Sequence, residues 1–388
     1  MKKTIFISGL SLITNNRGTQ ALGYGSLSFL KEKHGIGEDV QIITPDVYKN
    51  PLKQWKNRIR KETIELNGDV FNILYRKYWL YDIKFTNFIY RYLGIIIGFT
   101  PFSKAVKRML FTAAICGGDG FADIYSDKTM RYHVRWILEA KKYNKNYIFL
   151  PQTLGPFNKK YNYEYAAKLL SEAKQVYVRD TAFVEDLNKI GVKYEICDDL
   201  SYYMHAMPWD INVEPNAVGI NISGLCYYNA FENLAGRFEN YKLFLHEIVK
   251  YYQSISTPVY LVAHSFNYYS PEVNADDLQA SRDFYNELVN KENVILIDKD
   301  LKSPEIKYII SKTSFFIGSR MHSCFASIYT KTPVFGLGYS YKYEHNFKRY
   351  GLEDSYISVV DLKKEDIPSV IEKIKDIQAK KLVGHIKK

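Results

Sequence analysis

The chain has 388 residues, 46% of them hydrophobic, which is enough for two or three domains that each bury a core. Its formal net charge is +11, and its four cysteines (Cys116, Cys197, Cys226 and Cys324) lie far apart, with no CxxC pair and no zinc-finger spacing. This excludes a disulfide-stapled small domain and a zinc module, and it points to reduced thiols in a cytoplasmic protein.

Met1-Lys2-Lys3 and the apolar stretch after it have the outline of a signal peptide. Asn15-Asn16-Arg17-Gly18 follows without a small-residue cleavage pattern, so Thr4 to Ser8 reads as a buried first strand. A helix from Gln20 to Glu32 and a strand from Val40 to Thr44 come next. Residues 49 to 108 then carry 13 Lys and Arg against 4 Asp and Glu, a net +9 of the chain's +11, interleaved with Trp55, Tyr75, Trp79, Tyr81, Phe85, Phe88 and Tyr92. This block reads as a basic aromatic insertion. Three roles are open to it: a solvated charged face, a membrane-surface patch, or a nucleic-acid surface. The last is disfavoured because no recognised nucleic-acid module surrounds it. The longest apolar run, Leu93 to Phe102, is too short to span a bilayer and contains Pro101, so no transmembrane helix is expected.

From Arg108 the pattern alternates. A strand to Cys116 ends in the turn Gly117-Gly118-Asp119-Gly120. A helix over Thr129 to Tyr143, a strand at Tyr147 to Leu150, a helix at Asn162 to Glu172 and a strand at Gln175 to Val178 follow, the last ending in Arg179-Asp180. The helix Ala182 to Ile190 and the strand Tyr194 to Cys197 lead to Asp198-Asp199. Two prolines and polar residues between 203 and 216 break the rhythm, which places a domain boundary there. The second series has strands at Ala217 to Ile222, Val259 to Ala263, Val294 to Ile297, Phe315 to Ile317 and Pro333 to Leu337. Helices at Tyr241 to Ser254, Asp276 to Val289, Ser303 to Ser311 and Met321 to Tyr329 alternate with them. Such alternation is the signature of βαβ units and parallel sheets. The expected architecture is α/β: two Rossmann-like doubly wound domains facing a cleft, residues 1–205 and 206–375, with a frayed basic tail at 376–388.

The chemically notable residues fall at predicted strand ends, where open α/β sheets bind ligands. In the first half these are Asn16, Gly18, Gly117, Gly118, Asp119, Gln152, Arg179 and Asp199. In the second half they are Ser223, His264 and the run Arg320-Met321-His322, followed by Tyr339 and Lys342. Ser319 is placed to cap the helix that starts at Met321, where backbone N–H groups and the helix dipole favour an anion. The glycine turn is not GxGxxG and no P-loop lysine follows it, so neither a dinucleotide nor a Walker-type site is supported. No His, Asp or Glu pair shows metal-ligand spacing, no GxSxG occurs, and His133, His205 and His246 read as surface or packing histidines. Neither a metal nor a cofactor is expected.

The chain resembles the polysaccharide pyruvyl transferase family over most of its length. The resemblance is carried by Asn16, Gly18 and Ala21; by Gly117-Gly118-Asp119; by Gln152, Gly155, Pro156 and Phe157; by Arg179-Asp180 and Leu187; by Asp198 or Asp199; and by Arg320, His322, Pro333, Tyr339 and Lys342. Thr19 stands where many members carry an acidic residue. The resemblance implies a GT-B-like fold, phosphoenolpyruvate as co-substrate, and a sugar diol as acceptor, converted to a cyclic pyruvate ketal. It implies a donor side in the second domain, with Ser223, His264, Arg320, Met321, His322, Tyr339 and Lys342, joined by Arg179 from the first domain. It implies an acceptor side formed by Asn16, Gly18, Gly117, Gly118, Asp119, Gln152 and Asp199, taking a galactose- or mannose-type glycan linked to undecaprenyl diphosphate at the inner face of the plasma membrane. The residue types suit this chemistry. Planar arginine forks match a carboxylate and a phosphate, and an imidazole holds a proton near neutral pH. Catalysis therefore falls to His322, Arg320 and Arg179. A nucleotide-sugar glycosyltransferase of the same architecture is the competing class.

Overall fold

A computed structural model describes residues 2–50, 58–230, 232–340 and 342–386, with the backbone alone at 232, 342 and 381–386. The chain divides into two compact units, one of residues 1–12 and 22–205, the other of residues 13–21 and 206–388.

The first unit carries the strands β1 (Lys3–Ser8), β2 (Val40–Tyr48), β3 (Ile59–Leu66), β4 (Asp69–Trp79), β5 (Met109–Ala114), β6 (Asn146–Gln152), β7 (Gln175–Val178) and β8 (Glu195–Ile196). Its helices are the body of α1 (Arg17–His34), α2 (Leu80–Leu93), α3 (Pro101–Arg108), α4 (Asp127–His133), α5 (Arg135–Lys142), α6 (Lys160–Ser171) and α7 (Val184–Ile190). The sheet order is β3-β4-β2-β1-β5-β6-β7-β8, parallel throughout except for the β3–β4 hairpin. From β4 to β7 this is the doubly wound order 3-2-1-4-5-6, with the reversal between β1 and β5.

The basic block is therefore not an insertion. β4 pairs with β2 over eight residues, from Gln41↔Asn72 to Tyr48↔Trp79, and is the third strand of the doubly wound order. Its Phe71, Ile73 and Tyr78 enter the core, while Arg76 and Lys77 lie between them, which hid the strand among charges. The helix expected over 129–143 is two helices, because the backbone at Val134 leaves helical geometry at φ −97°, ψ 8°.

The second unit carries β9 (Val218–Asn221), β10 (Val259–Leu261), β11 (Val294–Leu296), β12 (Phe315–Gly318), β13 (Val334–Gly338) and β14 (Tyr356–Ser358). Its helices are α8 (Gly224–Tyr228), α9 (Tyr241–Ser254), α10 (Asp277–Glu287), α11 (Ser303–Lys312), α12 (Met321–Tyr329), α13 (Lys342–Arg349) and α14 (Ile367–Ile386). The order β11-β10-β9-β12-β13-β14 is again 3-2-1-4-5-6, all parallel, with the reversal between β9 and β12. Continuous burial of β9, β12 and β13 explains their near-unbroken apolar sequences. Helix continues to Ile386, through the tail expected to fray. Among the described residues no helix is long and apolar enough to cross a membrane. All four cysteines are buried thiols, none in a disulfide, and burial pushes each above its ordinary value.

Candidate active site

In the second unit the chemistry gathers at the carboxyl ends of β9, β10 and β12, at the switch point. β12 ends at Gly318, opposite Asn221 of β9. A Cβ at Gly318 would sit 2.6 Å from Sγ of Cys324 and 3.0 Å from Oγ of Ser323, so only glycine lets α12 fold back this closely. The cap of α12 is Arg320, in extended geometry, not Ser319 as expected. Ser319 is fully buried, its hydroxyl 2.6 Å from the Tyr241 hydroxyl.

Arg320 is held by Asp277, the first residue of α10. Nε donates to Oδ1 at 3.1 Å and Oδ2 at 3.2 Å, and Nη2 donates to Oδ1 at 2.6 Å. Nη2 also reaches the Ala275 carbonyl at 3.2 Å, and Nη1 reaches the Tyr339 hydroxyl at 3.3 Å. The Asp277 carboxylate further accepts the backbone N–H groups of Gly224 and Ser265, each at 2.9 Å. Burial opposes the charge on Arg320, yet the carboxylate of Asp277 outweighs it and holds the guanidinium well above its ordinary value. Asp277 is thus central to the site and was missed in the sequence. Its one local signal is its place in an Asp276-Asp277 pair opening a helix, where Asp276 caps the N–H of Gln279 at 2.9 Å.

His322 lies one residue into α12 and packs edge-on to Phe325, ring centres 5.7 Å apart. Its imidazole also rests on Gly18. Residues 13–21 belong to this unit because Arg17 donates to the Leu301 carbonyl at 2.7 Å and to Asp300 at 2.8 Å, and lies 4.2 Å over the Phe266 ring. Asn16 caps the first turn of α1, accepting from the N–H of Gly18 at 2.9 Å and of Thr19 at 3.2 Å. Asn16 and Gly18, expected among the first-half residues, therefore stand with His322. A Cβ at Gly18 would lie 2.5 Å from Nδ1 of His322. Gly18→Ala is expected to displace the imidazole and lower turnover at least about tenfold, while costing no more than about 1–3 kcal/mol of stability; thermal melts alongside steady-state assays check both.

His264 follows β10 and is buried. Burial, then the nearby His322, Arg320 and Arg17, push it well below its ordinary value, so it stays neutral. Ser223 is buried, its N–H bonded to the Tyr241 hydroxyl at 3.2 Å. The Met321 side chain packs against the core, which leaves its backbone as the group able to meet a ligand. Lys342 opens α13, and its side chain lies outside the described residues.

In the first unit, Gly117 (φ 63°) and Gly118 (φ 93°) make the left-handed turn after β5. Arg179 lies against it, 2.9 Å from where a Gly118 Cβ would be. Its guanidinium donates to Asp199 at 2.8 Å and to Thr153 at 3.0 Å, with Asp180 at 3.4 Å. Burial opposes the charge, but Asp199 and Asp180 outweigh it and raise Arg179 above its ordinary value. One cation lies between two carboxylates, a buried clamp comparable to the one Asp277 forms on Arg320. Asp199 accepts also from the N–H and the hydroxyl of Ser201. Gln152 is fully buried, and its Nε2 donates to the Ala114 carbonyl at 3.1 Å, tying β6 to β5. Asp119 bonds the Tyr125 hydroxyl at 2.9 Å. His133, read from sequence as a packing residue, stands against Gly117 and Gly120 and is lowered by burial while Asp119 raises it. Among the described residues no cluster of three His, Cys, Asp or Glu is placed to hold a metal.

Residues 16–341 match the family described as Polysaccharide pyruvyl transferase. No curated protein matches the sequence. Among solved structures, a putative UDP-N-acetylglucosamine 2-epimerase from Listeria monocytogenes is similar at TM-score 0.57 and 11% identity, over 97% of this chain and 90% of that one. A second UDP-N-acetylglucosamine 2-epimerase is similar at TM-score 0.50 and 10% identity, over 98% and 91%. At such identity the likeness is one of fold, the GT-B-like pairing of two doubly wound sheets in one chain. The family match, which spans the Arg320–His322 turn and most of both units, shows that this chain belongs to the polysaccharide pyruvyl transferase family.

Proposed function

We propose that this transferase moves pyruvate from phosphoenolpyruvate to two hydroxyls of a sugar in a surface-glycan precursor carried on a lipid. The observation that supports it most is the placing of Arg320 and His322 at the N-terminus of α12, at the switch point of the second sheet. The helix dipole and the guanidinium favour a dianionic donor there. His322 donates a proton to the methylene carbon, which leaves oxocarbenium character on the carbon bearing phosphate. One sugar hydroxyl adds to that carbon and the C–O bond to phosphate breaks. The second hydroxyl then adds, and the two hydroxyl protons pass to His322 and to the departing phosphate. The products are a methyl-bearing cyclic ketal with a free carboxylate, and inorganic phosphate. Asp119 and the Gly117 turn are the proposed sugar-binding residues of the first unit.

Phosphate release from phosphoenolpyruvate is expected to require a galactose- or mannose-type acceptor. Thermal stabilisation by nucleotide sugars with none by phosphoenolpyruvate would favour sugar transfer and overturn this reading. Arg320→Lys is expected to raise the donor KM by about tenfold or more, because one ammonium cannot span both Asp277 oxygens and the Tyr339 hydroxyl; initial rates at varied phosphoenolpyruvate check it.

A further inference from the structure

α2 is amphipathic, but it also presents an apolar stripe to solvent. Its inner face buries Ile83 and Thr86 and packs Tyr90 on Tyr143, ring centres 4.8 Å apart. On the outer face Tyr81, Phe85, Phe88 and Tyr92 fall within about 60° of the helix circumference at ~100° per residue. The last residue of the helix, Leu93, and then Ile95 and Phe99 beyond it add to this face, and all seven are 47–67% exposed. Several of them are in contact: Phe88 meets Tyr92 at 4.6 Å, Phe85 meets Phe99 at 6.3 Å, and Tyr81, Phe85 and Phe99 line one groove. Clustered exposed apolar residues of this kind mark an interaction surface.

Charge decides the occupant. Lys84 and Arg91 flank one side of the stripe, seven residues apart, and Lys84 reaches over the Tyr81 ring at 5.4 Å. From 76 to 108 there are seven Lys and Arg and one acid, Asp82. Asp82 turns toward α3, accepting from the N–H of Phe102 at 3.4 Å. A groove of about 700 Å³ lies alongside, lined among others by Arg58, Lys77, Trp79, Tyr81, Phe85 and Phe99. A second copy meeting this face through a two-fold axis would set cation against cation. Aromatic rings with polar tips bordered by lysine and arginine instead match the boundary between acyl chains and anionic headgroups.

We infer that the outer face of α2, with the segment to Phe99, docks this protein on an anionic membrane surface. The surface rests on the reading of a lipid-carried acceptor only for its biological use. Its test needs no phosphoenolpyruvate, so the two fail separately. The full chain is sedimented with phosphatidylcholine vesicles, with and without phosphatidylglycerol. Binding is expected to the anionic vesicles and to weaken as salt rises. Phe85→Ser/Phe88→Ser/Tyr92→Ser is expected to weaken it at least about tenfold through lost apolar insertion. Lys84→Glu/Arg91→Glu is expected to do the same at low salt, at about fivefold or more per cation removed. These residues are exposed, so unchanged thermal midpoints confirm that the variants are folded. No sedimentation with anionic vesicles at low salt overturns the inference. So does a triple variant that sediments like the wild type, or a stripe-dependent doubling of mass without vesicle binding.

Discussion

Replacing His322 with alanine is expected to cut turnover by about two to four orders of magnitude, the usual contribution of a positioned proton donor. Stabilisation of the protein by phosphoenolpyruvate should persist, because Arg320, Asp277 and the N-terminus of α12 remain. The half-buried ring packs on Gly18 and Phe325 at the start of α12, and a smaller side chain there should leave the fold intact. Single-turnover phosphate release and a thermal-shift titration with phosphoenolpyruvate separate the two effects. Turnover like the wild type would remove His322 from the chemistry. Loss of donor binding together with turnover would make it a binding group instead.

The second large effect is expected at Asp277. Its side chain is wholly buried and joins α10 to Arg320, Gly224 and Ser265 at once. Asp277→Ala leaves a buried guanidinium without its carboxylate, a loss of about 3–5 kcal/mol. For a unit of this size the melting temperature should fall by roughly 10 °C. Asp277→Asn keeps the shape and an acceptor oxygen but removes the charge, so it should cost less stability while raising the donor KM. Denaturant titration of both variants beside the donor KM tests this. An alanine variant as stable as the wild type would mean that the pair contributes nothing net.

Arg320-Met321-His322 was readable because everything that makes it a site is local. The apolar strand, the glycine and the helix start follow within eight residues, and the doubly wound rule places that turn at a ligand position. The same locality failed at β4, where Arg76 and Lys77 stand between the buried Phe71, Ile73 and Tyr78. Pairing with β2 decides that this charged stretch is a central strand. Arg179 shows the limit from the other side. As a sequence feature it is an arginine at a strand end, like Arg320, and only the folded chain reveals that carboxylates hold both, Asp199 and Asp180 at Arg179 and Asp277 at Arg320.

By itself the sequence determined the two α/β series, the break near residue 206, the family, and the strand-to-helix turn that carries Arg320 and His322. These follow from backbone propensity, hydrophobic period and short motifs, all of which act over a few residues. Tertiary structure alone decided that Asn16 and Gly18 support His322, that Asp277 holds Arg320 from 43 residues away, and that Asp199 holds Arg179. The physical reason is that an ion pair or a close packing contact depends on distance in space. Side chains remote in sequence settle it only once the sheets have brought them within a few ångströms.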